Sequence, residues 1–84
     1  MKRYSDAQAV RDALESWIPG TQLTGKEIVA RTYHNLMVHG SPCRPMDTTI
    51  MRSLRREASR YGIVARDRSK SLYYRQPEEP AARQ

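Results

Sequence analysis

Phenylalanine is absent from this chain, and cysteine occurs once, at position 43. A lone Cys43 excludes an intramolecular disulfide and accords with a reducing compartment. It also leaves too few ligands for a closed zinc site. His34, His39 and Cys43 stand at spacings of five and four residues, whereas a structural zinc takes four ligands. No metal is expected.

Long apolar runs are missing too. None nears the roughly 18 residues that span a bilayer, and the N-terminus lacks the apolar region of a secretory signal, so a soluble cytoplasmic protein with no membrane partner is expected. The four glycines are scattered at positions 20, 25, 40 and 62 and form no phosphate-cradling loop. Asp12 and Glu15 share an outer helix face without an apolar pocket to tune them, and no nucleophile stands beside a base. The expectation is therefore no enzyme, no catalytic residue, no cofactor and no evident small-molecule substrate.

Negative charge is scarce in the middle of the chain. The 84 residues carry a formal charge of +6, and its placement is uneven. Residues 1–43 hold five basic and four acidic groups, residues 44–75 nine and three, and residues 76–84 one and two. The middle segment thus carries the excess, which points to a polyanionic partner. Twelve of the fifteen basic residues are Arg, whose planar fork suits phosphates and guanine edges better than the point charge of Lys. A chain this short buries only about 60% of its unfolded surface, so one domain is expected over residues 1–76, with a flexible tail over 77–84 that has no apolar periodicity.

Three amphipathic helices can be read along the domain. Ser5 is a cap ahead of Ala7, Val10, Leu14, Trp17 and Ile18, which share one arc at about 100° per residue; Pro19 and Gly20 stop that helix. Thr24 and Glu27 have capping-box spacing before Ile28, Val29, Tyr33 and Leu36, with Gly40 as terminator. Residues 39–47, "HGSPCRPMD", read as a loop. Asp47 or Thr48 can cap a third helix with Ile50, Met51, Leu54, Ala58 and Tyr61 inside and Arg52, Arg55, Arg56 and Arg60 outside; Gly62 ends it. "IVARD" and "LYYRQ" then read as a β-hairpin around the polar "RSKS". Trp17, Tyr33 and Tyr61 fall on inner arcs, whereas Tyr73 and Tyr74, adjacent on a strand, must face opposite ways, one buried and one exposed.

The order helix, helix, loop, helix, basic hairpin resembles the winged helix-turn-helix family over residues 5–76. The residues that carry the resemblance are Ile50, Arg52, Leu54, Arg55, Gly62, Ile63 and Val64, with Tyr73 or Tyr74 on the returning strand. The resemblance implies an α+β, mainly helical fold with a C-terminal β-hairpin wing. It also implies sequence-specific binding of double-stranded DNA by a transcriptional regulator or phage-type DNA-handling protein, nucleoid-associated when bound. In that family the third helix enters the major groove. By that likeness Thr48, Thr49, Arg52, Ser53 and Arg56 would meet the groove, and Arg55 and Arg60 would reach phosphates, as would Arg66, Arg68 and Lys70 of the wing. A homodimer on two half-sites would add phosphate contacts. The other readings are a protein-contact module within a larger assembly, an RNA binder, and a solvated helix face on which Glu57 pairs with Arg60 or Arg56. One glutamate does not neutralise four arginines.

Overall fold

The computed structural model describes residues 4–77. The tail expected over 77–84 lies, apart from Pro77, outside the described residues. Helix α1 spans Asp6–Glu15, with the Ser5 hydroxyl accepting the Gln8 N–H at 3.1 Å. Ala9, Val10, Ala13 and Leu14 are its buried face. The apolar arc read through Trp17 and Ile18 overruns the helix. Ser16 is the C-cap, so the 100° phase lapses after it. Trp17 still folds inward, 1% exposed, but Ile18 is turned out, at 68%.

A short strand β1, Gln22–Thr24, leads into helix α2, Gly25–Val38. Both halves of the Thr24–Glu27 capping box are formed. Past the His39 C-cap, Gly40 has the positive φ, +64°, that commonly closes a helix. The connection to α3, Asp47–Tyr61, is long but anchored. Ser41 is buried and its hydroxyl donates to the Tyr4 carbonyl at 2.7 Å. The His39 ring stacks on Tyr4 with centroids 3.7 Å apart. Arg44 donates to the carbonyls of Ser41 and Cys43.

Neither Asp47 nor Thr48 caps α3. Met46 holds the extended cap position without a side-chain bond, because Asp47 already has helical backbone. Its carboxylate stands in the first turn, where the helix dipole favours an anion, 3.2 Å from the Tyr33 hydroxyl. That hydroxyl also donates to the Pro45 carbonyl. Burial, and secondarily Asp47, raise the Tyr33 pKa above its ordinary value.

Gly62, at φ +69°, ends α3 and turns the chain directly into strand β2, Ile63–Asp67. A 3₁₀ turn, Arg68–Lys70, joins it to β3, Leu72–Arg75. The sheet has the order β1-β3-β2, antiparallel throughout, with Leu23 opposite Tyr73 and Ile63 opposite Arg75. The expected hairpin is therefore joined by a third strand. Leu23 and Ile63 close over a core of Val10, Leu14, Trp17, Ile28, Ile50 and Leu54. Three helices and a three-stranded antiparallel sheet make the expected α+β, mainly helical fold, consistent with a winged-helix-like arrangement. Among the described residues no helix is long and apolar enough to cross a membrane.

Arg75 departs from the basic run in which the sequence places it. Its side chain is buried beneath the sheet, 7% exposed. One guanidinium nitrogen lies 2.8, 3.2 and 2.6 Å from the carbonyls of Leu14, Glu15 and Trp17. The first two belong to the last turn of α1, whose carbonyls lack i+4 helical partners, and the third to the residue just past the Ser16 C-cap. Alternation along β3 puts Arg75 on the same inward face as Tyr73, which is why a cation here points into the fold.

Candidate nucleic-acid interface

The outward arc of α3 presents Thr48, Arg52, Arg55, Arg56 and Ser59, all exposed, with Thr49 half-buried at its margin. Ser53, expected on this surface, is instead buried at 6% exposure. It lies on the flank that Glu57 occupies one turn later, and Glu57 pairs with Arg11 of α1 at 3.9 Å. That flank packs toward α1, and a small side chain suits it. The Ser53 hydroxyl accepts a bond from Arg56 at 3.3 Å, so Ser53 steadies an arginine rather than forming part of the surface.

The α3 arginines differ in their surroundings. Arg60 is drawn to Glu57 at 3.4 Å with its side chain 69% exposed. Arg52 and Arg55 have no carboxylate or hydrogen-bond partner among the described residues. The solvated-face reading, in which Glu57 quiets the helix, holds only for the flank facing α1.

On the wing, pairing skips Arg66, because Ala65 and Asp67 take consecutive partners on β3 and leave it as a bulge. Its guanidinium lies over the Tyr74 ring, 4.1 Å from the centroid. Tyr73 packs against the core on the other face. The two tyrosines do face opposite ways, yet both are half-buried, since Arg66 covers the outer one. Arg68 and Lys70 occupy the tip proper, and both are exposed. Asp67 closes the tip by accepting from the Ser69 N–H at 3.1 Å and hydroxyl at 2.7 Å. The Ser69 bond holds the Asp67 carboxyl below the ordinary carboxylate value.

Two clefts connect the helix to the wing. One, about 510 Å³, lies between Arg55 of α3 and Arg68 of the wing over a floor that includes Leu54, Ala58 and Ile63. The other, about 420 Å³, lies where the starts of α2 and α3 meet the wing tip, and both Lys26 and Lys70 line it. There the Gly25 N–H donates to the Ser71 carbonyl at 2.7 Å, and a Cβ on Gly25 would come within 3.3 Å of the Ser71 Cβ. Glycine makes that close approach without displacing Ser71.

The fold thus brings together Arg52, Arg55, Arg56, Arg68 and Lys70, which the sequence nominates, and adds Lys26, which it does not. Lys26 sits inside "TGKE", where the capping signal is the stronger one. Its place beside the wing depends on the sheet. Among the described residues no three His, Cys, Asp or Glu side chains cluster as a metal would require. His34 is exposed on α2 and His39 is stacked on Tyr4. Comparison with protein-family models, with curated proteins and with solved structures returns no match.

Proposed function

We propose that this chain binds double-stranded DNA sequence-specifically, with α3 in the major groove and the wing tip on the neighbouring backbone, as a small transcriptional regulator or phage-type DNA-handling protein. The observation that carries the proposal is the set of cations Arg52, Arg55, Arg56, Arg68 and Lys70. All are exposed, none has a carboxylate partner among the described residues, and Arg55 of the helix and Arg68 of the wing line a common cleft.

Dimensions agree with the charge. Fifteen helical residues make a rod about 22 Å long, and the major groove of B-DNA, about 12 Å wide, admits a helix. In the N-terminal half of α3, Thr48 and Arg52 are exposed on its outward arc.

The test is duplex binding measured against salt, with RNA of matched length as competitor. Duplex DNA should bind with an affinity that falls linearly on logarithmic axes as salt rises. RNA should compete at least roughly tenfold more weakly, because its deep, narrow major groove does not admit side chains. Equal competition by RNA would replace the DNA reading with an RNA one. No binding to either would leave the protein-contact reading.

A further inference from the structure

We propose that the cleft between α3 and the wing binds a small amphiphilic anion, an aromatic carboxylate, and that its occupancy excludes DNA; the exclusion, though not the site, rests on the DNA-binding reading above. The cleft has the make-up of a ligand site. Its volume of about 510 Å³ lies within the range of roughly 300 to 1,000 Å³ common for small-molecule pockets. Its floor is apolar: Ala58, Ala65 and Tyr73 present the accessible surface, backed by Leu54 and Ile63 of the buried core.

The walls supply the polar selectivity. Arg55 stands on α3 and Arg68 in the 3₁₀ turn of the wing, and both line the same cleft. Neither guanidinium has an ion pair or hydrogen bond among the described residues. Two guanidinium forks beside an apolar floor suit a planar anion that carries a hydrophobic body, because a carboxylate can take paired N–H bonds while the body covers the floor. The Tyr73 ring in the lining favours an aromatic body over an aliphatic one, through offset or edge-to-face ring contact. No acidic residue lines this cleft, so its charge is of one sign.

Occupancy and DNA binding call on the same two side chains. Arg55 and Arg68 are the cations that join helix to wing, and a ligand that holds both removes them from phosphate contact. A bound ligand would also fill the space into which the backbone passes between those elements.

The experiment is an NMR titration of the free, full-length protein with 2-naphthoate. 2-Naphthylmethanol serves as the neutral control and acetate as the anion without an aromatic body. Saturable 1:1 binding is expected, with shift changes centred on Leu54, Ala58 and Tyr73. The neutral analogue and acetate should each bind roughly tenfold more weakly or worse, as should naphthoate to Arg55→Gln and Arg68→Gln. Both variants change exposed side chains, and an otherwise unchanged spectrum verifies their fold. The site is overturned by an absence of saturable binding, by equal binding of the alcohol, by shifts centred elsewhere, or by indifference to both substitutions. Saturating naphthoate should then release a bound DNA duplex. If naphthoate binds as described and DNA affinity does not move, the exclusion is overturned and the site stands. Failure of the protein to bind any DNA overturns the DNA reading and with it the exclusion, while the titration of the free protein decides the site by itself.

Discussion

Helix α1 has no basic residue in its last turn, and Arg75 delivers that charge from β3. Its contacts to the carbonyls of Leu14, Glu15 and Trp17 join the last strand to the end of the first helix. Hydrogen bonds from a charged donor contribute about 1.5 to 3 kcal/mol each, and a buried carbonyl left without a partner costs about 1 to 3 kcal/mol. Arg75→Ala should therefore lower the unfolding free energy in urea by about 3 kcal/mol, whereas Arg52→Ala on the open face should change it by only a few tenths. Equal effects would mean that Arg75 is a surface cation. At the same scale Arg52 and Arg56 are one turn apart, but only Arg56 is steadied by Ser53. An Arg that grips the O6 and N7 of guanine supplies about 1 to 3 kcal/mol of discrimination. Binding-site selection with Arg52→Ala and Arg56→Ala should show at least one variant losing preference at a defined base while its non-specific affinity stays within roughly tenfold. Uniform loss across all sequences would make both arginines phosphate contacts.

Among the elements, the wing divides its cations into two kinds. Arg68 and Lys70 sit at the exposed tip, while Arg66 lies on Tyr74. Removing one cation from a DNA phosphate should flatten the salt dependence by about 0.9 in log affinity per log salt. Replacing Arg68 and Lys70 together by Ala should thus flatten it by about 2, and Arg66→Ala by clearly less, with a stability loss of about 0.5 to 1 kcal/mol as the guanidinium leaves the Tyr74 ring. A slope that changes only with Arg66 would reverse the assignment. The same elements show what was legible in the sequence. Helix α2 was, because Thr24 and Glu27 bond within four residues of each other. The β2–β3 hairpin was, because β-branched and aromatic residues bracket a polar turn. Strand β1 was not: three residues are too few for an alternation, and β1 exists through its pairing with a strand some fifty residues away. Ser53 and Ile18 were misplaced for a related reason. A helical wheel supplies phase but neither the point where the helix stops nor the side on which a neighbour packs.

Over the whole molecule, folding sorts the charges. Glu57 gathers Arg11 and Arg60 on the flank toward α1, Arg75 is sealed beneath the sheet, and Arg44 serves its own loop. Arg66 is exposed but lies over the Tyr74 ring, which leaves Lys26, Arg52, Arg55, Arg56, Arg68 and Lys70 exposed without carboxylate or ring partner around the helix, the wing and the clefts between them. This smaller set, rather than the formal +6, sets the electrostatics of binding, because a cation already held by a carboxylate displaces few counterions from DNA. If all six meet phosphates, one copy on duplex DNA should show a slope of log affinity against log salt of about −5. A base contact by Arg52 or Arg56 would make it shallower by about 0.9. Two copies on paired half-sites should roughly double the slope and place two protein chains on each duplex, which sedimentation of the complex measures independently. A slope near −10 with two chains bound identifies a dimer as the binding unit. A slope near −5 with one chain identifies the monomer. A slope shallower than about −2 would mean that most of the six cations do not touch the DNA, and the α3–wing face would then lose its claim to be the binding surface.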